Sequence, residues 1–153
     1  MKAWVQRVTR GSVTIGGKRV SEIGPGYVVL LGVRRDDTGE DARYLADRTI
    51  HLRIFPDSDG KMNLSIEEVA GEVLVVSQFT LQADTRKGNR PSFIEAADPV
   101  AAEALYNEYT AALRQALGEE RVATGVFRAD MAVEILNDGP VSIELKSRRE
   151  TAG

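Results

Sequence analysis

The sequence predicts an α+β fold, a mainly antiparallel and strongly curved, barrel-like β-sheet with two main helices. Three observations lead there: strand-like runs outnumber helical ones, the two helical patterns are separated by further strands, and Gly16-Gly17 marks a β-hairpin near the start. The chain has 153 residues, 42% of them hydrophobic, enough to bury roughly two-thirds of the unfolded surface around one core. No repeat, low-complexity tract or linker interrupts it, so one domain is expected over 1–153, with 148–153 as a flexible tail.

Residues 3–8 and 12–15 are short segments rich in β-branched residues, and Gly16-Gly17 turns the chain into a second strand ending near Ile23. Gly24-Pro25-Gly26 breaks that strand. Residues 27–33 are apolar at successive positions, as a central strand covered on both faces must be. Asp36-Asp37-Thr38 supplies N-cap residues for a helix whose Ala42, Leu45, Ala46 and Thr49 recur at helical spacing. A strand at 52–55 ends in the turn Pro56-Asp57-Ser58-Asp59-Gly60.

Residues 73–76 form another strand buried on two faces, which runs on into Ser77-Gln78-Phe79-Thr80-Leu81 before a polar loop at 82–90. Asp98-Pro99 is an N-cap followed by proline at the first helical position; Leu105, Tyr109, Ala112, Leu113, Ala116 and Leu117 give the apolar stripe, and Gly118 stops the helix. Strands near 122–124, 131–136 and 141–145 finish the chain, the last two joined by a turn at Asn137-Asp138-Gly139-Pro140.

Composition narrows the chemistry. With no cysteine and His51 as the one histidine, zinc sites built from Cys and His and Cys–His nucleophiles are excluded. A Ser–His–Asp arrangement would have to use His51, at the end of the first predicted helix, where a solvated or hydrogen-bonded histidine is the ordinary reading. No metal or other cofactor is expected. The run from Gly11 to Lys18 fails as a phosphate loop because the lysine is displaced and Arg19 stands where Ser or Thr is needed. Asp57-Ser58-Asp59 with Glu68 fails as a calcium loop because Lys61 takes an inner ligand position and Met62 replaces the glycine.

No run approaches the ~20 apolar residues of a membrane span, which with the absence of cysteine leads us to expect a cytoplasmic protein without membrane contact. A net charge of −3 argues against a surface coated for polyanions, yet local basic patches at Arg86-Lys87-Gly88-Asn89-Arg90 and Lys146-Ser147-Arg148-Arg149 remain.

Two segments carry candidate chemistry. Ser77-Gln78-Phe79-Thr80 puts polar groups on the continuation of a buried strand, with Gln78 and Thr80 on one face and Ser77 and Phe79 on the other. Gly139-Pro140 permits a cis peptide, which would aim two consecutive carbonyl oxygens in a nearly parallel direction.

Ser77-Gln78-Phe79-Thr80-Leu81 matches the SQFTL motif, and Asn137-Asp138-Gly139-Pro140-Val141-Ser142 resembles the NxGPxT motif, of the D-aminoacyl-tRNA deacylases, formerly the D-tyrosyl-tRNA deacylases. Similarity extends through Gln6-Arg7-Val8, Lys61-Met62-Asn63-Leu64, Arg90-Pro91-Ser92-Phe93 and Gly125-Val126-Phe127-Arg128-Ala129-Asp130-Met131. The departure is Ser142 in place of threonine, which keeps the hydroxyl and loses a methyl.

The resemblance implies hydrolysis of the ester joining a D-amino acid to the 3′ end of tRNA, a proofreading step in translation. It also implies a homodimer in which the Gly-cisPro of one subunit enters the other's pocket. Backbone N–H groups around Gln78 and Phe79 would hold the ester carbonyl, and the terminal ribose 2′-hydroxyl would help activate water. Thr80 is the candidate nucleophile by residue type; lacking an adjacent base, it reads better as a positioning residue. Arg7 is carried over as a support for the Gly-cisPro loop and Met131 as a pocket wall. Arg86, Lys87 and Arg90 are the candidate tRNA contacts. Chiral selection by exclusion at Gly139-Pro140 would also admit glycyl-tRNA. Two rival functions stand beside this one: a non-catalytic RNA-binding module, and an esterase indifferent to tRNA.

Overall fold

The computed structural model describes residues 1–148. Its centre is a long strand, β1 (Lys2–Ile15), flanked on one side by β8 (Ala132–Lys146) and on the other by β2 (Lys18–Ile23) and β3 (Gly26–Gly32) laid end to end. All of these pairings are antiparallel. Beyond β3 lie β6 (Glu72–Ser77) and β7 (Val122–Thr124), each parallel to its neighbour. A separate hairpin, β4 (Phe55–Pro56) with β5 (Met62–Leu64), stands off the main sheet. Helices α1 (Gly39–Ile50) and α2 (Pro99–Leu117) pack on each other. The molecule is thus an α+β fold with a mostly antiparallel, strongly curved, near-barrel sheet and two main helices.

Period-two alternation in β3 and β6 explains why both faces of these strands are apolar. Tyr27, Val29 and Leu31 of β3, with Val73 and Val75 of β6, share a core with Leu45 and Ala46 of α1 and Tyr109 and Leu113 of α2. Val28 of β3 and Leu74 and Val76 of β6 face the other way, into a second core with Val8, Val13 and Ile23. That core lies within the curl of the sheet, where β2 packs back against β6 and β7.

The helix starts follow the sequence. Thr38 caps α1, its N–H and hydroxyl both donating to Asp41 (2.9 and 3.0 Å), and Asp98 caps α2 by accepting from the N–H groups of Val100 and Ala101. His51 ends α1, exposed, with its ring Nδ1 2.9 Å from the Asp47 carbonyl oxygen.

Several boundaries differ from the sequence reading. Segments 3–8 and 12–15 are one strand: Gly11 lets β1 run on past Val28, whose Cγ2 would lie 2.5 Å from a Cβ at that position. Segments 131–136 and 141–145 do not form a hairpin. Both pair with β1 in the same antiparallel sense, and Asn137-Asp138-Gly139-Pro140 is a bulge between Val8↔Asn137 and Gln6↔Ser142, since four turn-forming residues can kink a strand without reversing it. Of the 52–55 strand only Phe55 is strand in fact, joined by Pro56 from the expected turn. On α2 the buried face is Tyr106, Tyr109, Thr110, Leu113 and Leu117, while Ala116 is exposed. Of the expected tail, Arg148 sets its guanidinium 4.7 Å from the Tyr44 ring centroid; residues 149–153 lie outside the described residues.

Candidate active site

The strand expected to continue through Ser77-Gln78-Phe79-Thr80 ends at Ser77, and Phe79–Gln82 forms a 3₁₀ turn. Strand alternation therefore does not place Gln78 and Thr80; the turn does. Three bonds fasten it to the start of the sheet. The Gln78 N–H donates to the Leu31 carbonyl (2.8 Å), Gln82 Nε2 to the Gly32 carbonyl (3.1 Å) and Lys2 Nζ to the Leu81 carbonyl (3.2 Å). Gly32 makes this approach possible, because a Cβ there would meet Leu81 Cβ at 2.9 Å and the Gln78 oxygen at 3.0 Å.

The backbone N–H of Gln78 is committed to Leu31 and is not available to an oxyanion. The N–H groups of Phe79 and Thr80 open the 3₁₀ turn and take no backbone acceptor among the described residues, as the first donors of any helical turn do not. The Gln78 side chain instead donates to the Thr80 hydroxyl.

A cavity of about 490 Å³ opens beside this turn, lined by Ser77, Gln78 and Phe79 together with Phe127, Arg128 and Met131. Ala97 and Pro99, which flank the N-cap of α2, also line it. Met131 is seated by Gly125, where a Cβ would come within 2.7 Å of its sulfur. Tyr106 supports the Phe127 ring at 5.8 Å between centroids and donates to the Val75 carbonyl (2.9 Å). Burial pushes the Tyr106 phenol up to about 12, so it remains a neutral donor at physiological pH. Phe79 stands 55% exposed at the mouth, edge-on to Phe93 at 5.0 Å.

The structure therefore brings Ser77, Gln78, Phe79 and Met131 together. Thr80 lies outside the cavity lining, on the exposed side of the turn. Arg7, Gly139 and Pro140 form a second cluster that does not line the cavity. The Gly139-Pro140 peptide is cis, and Gly139 has φ of 126°, a backbone region that favours glycine. Arg7 holds this bulge: its Nε donates to the Asp138 carbonyl (3.0 Å) and its Nη1 to the Ile54 carbonyl (2.6 Å). Gln6 Nε2 donates to both Asn137 Oδ1 and Ser142 Oγ (3.4 Å each), so the Gln6 amide spans the base of the bulge and the serine hydroxyl accepts from it.

In the basic loop, Arg86 folds back on Asp84 in a two-point fork (2.9 and 2.7 Å) that pushes the Asp84 carboxyl down to about 2. Lys87 and Arg90 are exposed. Sequence reasoning assigned no role to Phe127, Arg128, Ala97 and Pro99. The block containing Phe127 was visible as a motif, but nothing local says that the start of α2 reaches the same cavity.

A cavity lined by Phe79, whose N–H takes no backbone acceptor among the described residues, and by no histidine or cysteine, suits the class of hydrolases that position an already activated ester. Comparison with known proteins carries this further. The family described as D-Tyr-tRNA(Tyr) deacylase matches residues 4–146, and the chain belongs to this family of D-aminoacyl-tRNA deacylases. A D-aminoacyl-tRNA deacylase of Dehalococcoides mccartyi is 60% identical over 148 residues, covering 97% of this chain and 95% of that one. Another from Anaeromyxobacter dehalogenans is 58% identical over 149 residues, covering 97% and 99%. A solved structure titled c-Myc DNA Unwinding Element Binding Protein superposes with a TM-score of 0.92 at 46% identity, covering 96% of this chain and 99% of that one.

Proposed function

We propose that this enzyme hydrolyses the ester of D-aminoacyl-tRNA to free D-amino acid and tRNA, serving as a chiral proofreader of translation in the cytoplasm. The observation that carries the reading is the Phe79 N–H group, which takes no backbone acceptor among the described residues, on a residue that lines one cavity with Ser77, Gln78 and Met131. A backbone donor held at the cavity wall suits the oxyanion that develops when water attacks the ester carbonyl. An aminoacyl ester is reactive enough that positioning and oxyanion stabilisation suffice, with the terminal ribose 2′-hydroxyl helping to activate water. Thr80, whose hydroxyl accepts from the Gln78 side chain, serves to fix the turn rather than as a nucleophile.

The Gly139-Pro140 bulge is exposed and stands apart from the cavity of its own chain. We assign it to the cavity of a second copy in a homodimer, where its carbonyl oxygens exclude an L side chain and leave a D side chain free. Selection by exclusion extends to glycine, which has no side chain to clash. Lys87 and Arg90, with Arg86, contact tRNA phosphates. Among the described residues no helix is long and apolar enough to cross a membrane.

The test is deacylation of D-Tyr-tRNA, L-Tyr-tRNA, Gly-tRNA and a free D-tyrosine ester under identical conditions. Turnover of the D and glycyl tRNA esters with little of the other two is the expected result. No release from any of them would identify a binding module, equal cleavage of the free ester would identify a general esterase, and an L rate matching the D rate would rule out exclusion at Gly139-Pro140.

A further inference from the structure

A second depression, of about 400 Å³, takes Gln82, the last residue of the 3₁₀ turn, into its lining. Lys2, Arg34 and Arg86 line it together with Asp84 and Glu95. The two depressions adjoin through three chain segments. Val33, Phe79 and Ala97 line the first, while Arg34, Gln82 and Glu95 line the second. Steps of one to three residues, at most ~3.6 Å each, separate the members of each pair. Lining residues of the two depressions are thus at most about 11 Å apart along the chain.

The carboxylates orient the two arginines without exhausting them. Glu95 Oε2 accepts from Arg34 Nε (3.1 Å) and Nη2 (2.8 Å), which leaves three of the five guanidinium N–H groups for another acceptor. Asp84 likewise takes one N–H from each of Arg86 Nε and Nη2. Two preset forks and an ammonium on a partly open surface suit a phosphodiester better than a carboxylate ligand, since the phosphate offers several oxygens to separate donors.

We propose that this groove binds the phosphodiester backbone of the single-stranded 3′ end of the tRNA, with Arg34 and Lys2 contacting the phosphates next to the terminal nucleoside. The inference rests on the deacylase reading and adds two residues remote in sequence from the basic loop. Lys2 links the two sites physically, because its Nζ also holds the Leu81 carbonyl of the 3₁₀ turn.

The experiment compares Arg34→Gln and Lys2→Gln with wild type on D-Tyr-tRNA and on 3′-O-D-tyrosyl-adenosine, which carries the ester and no phosphate. The ratio of kcat/KM for tRNA to kcat/KM for the adenosine ester should fall roughly tenfold in each variant, chiefly through KM, as expected for loss of a charge-assisted hydrogen bond. The dependence of log(1/KM) on log salt should become shallower by about 0.7 per lost phosphate contact. Arg34→Lys should recover part of the ratio. Variants that keep the wild-type ratio and salt slope would overturn the groove while leaving the deacylase reading standing; wild-type protein inert on both substrates would refute that reading itself.

Discussion

Replacing Arg7 tests the link between the Gly139-Pro140 bulge and selectivity. The side chain is 11% exposed, and its guanidinium joins the bulge, through the Asp138 carbonyl, to the segment before β4, through the Ile54 carbonyl. Asp138 Oδ2 lies 3.4 Å away and is half exposed, so that ion pair adds little. Hydrogen bonds to a charged donor contribute roughly 1.5–3 kcal/mol each, and two of them, discounted for the open side of the bulge, amount to about 2–3 kcal/mol lost in Arg7→Ala. For a chain of this size that lowers Tm by roughly 4–12 °C, measurable by calorimetry or circular dichroism. The functional loss should be larger than the stability loss, because a misplacement of ~1 Å in a positioned site costs on the order of a hundredfold in rate. Arg7→Lys should recover stability better than selectivity, since an ammonium cannot donate in the two fixed directions that Asp138 and Ile54 require. The assay is the ratio of D-Tyr-tRNA to L-Tyr-tRNA deacylation rates alongside a melt of each variant. A folded Arg7→Ala with the wild-type rate and the wild-type D:L ratio would refute the argument that Arg7 sets the bulge.

Three further expectations follow from the same geometry. Thr80→Ala should retain measurable turnover, reduced by roughly tenfold for one lost hydrogen bond within the turn, whereas complete loss of single-turnover hydrolysis in a folded, tRNA-binding variant would make Thr80 the nucleophile. Lys87→Glu with Arg90→Glu should weaken tRNA binding and flatten its salt dependence, and an unchanged slope would return this loop to ordinary solvated surface. The Asp84 carboxyl, held down to about 2 by the Arg86 fork, should titrate there by NMR and move up toward its ordinary value of 3.8 in Arg86→Ala. Because its folded pKa is depressed, any stability from that fork is present above about pH 4 and fades as pH falls toward 2, and a variant whose Asp84 titration is unmoved would show the fork absent in solution.

Local chemistry made much of this molecule legible from the sequence. Thr38 and Asp98 mark helix starts because their side chains satisfy backbone donors a few residues away, and β3 and β6 declare burial on both faces through uninterrupted apolar runs. The SQFTL segment and Gly139-Pro140 stood out by the same kind of short-range signal. What the tertiary structure decided depends on partners distant along the chain. The sequence alone leaves 137–140 as a turn, and only pairing of both flanks with β1 makes it a bulge. Nothing local reveals that Leu31 takes the Gln78 N–H, which passes the free donors to Phe79 and Thr80, or that Ala97, Phe127 and Met131 meet around one cavity. Hydrogen bonds to neighbours are written in adjacent residues; the closing of a curved sheet is set by contacts between residues dozens of positions apart, and no local pattern encodes those pairings.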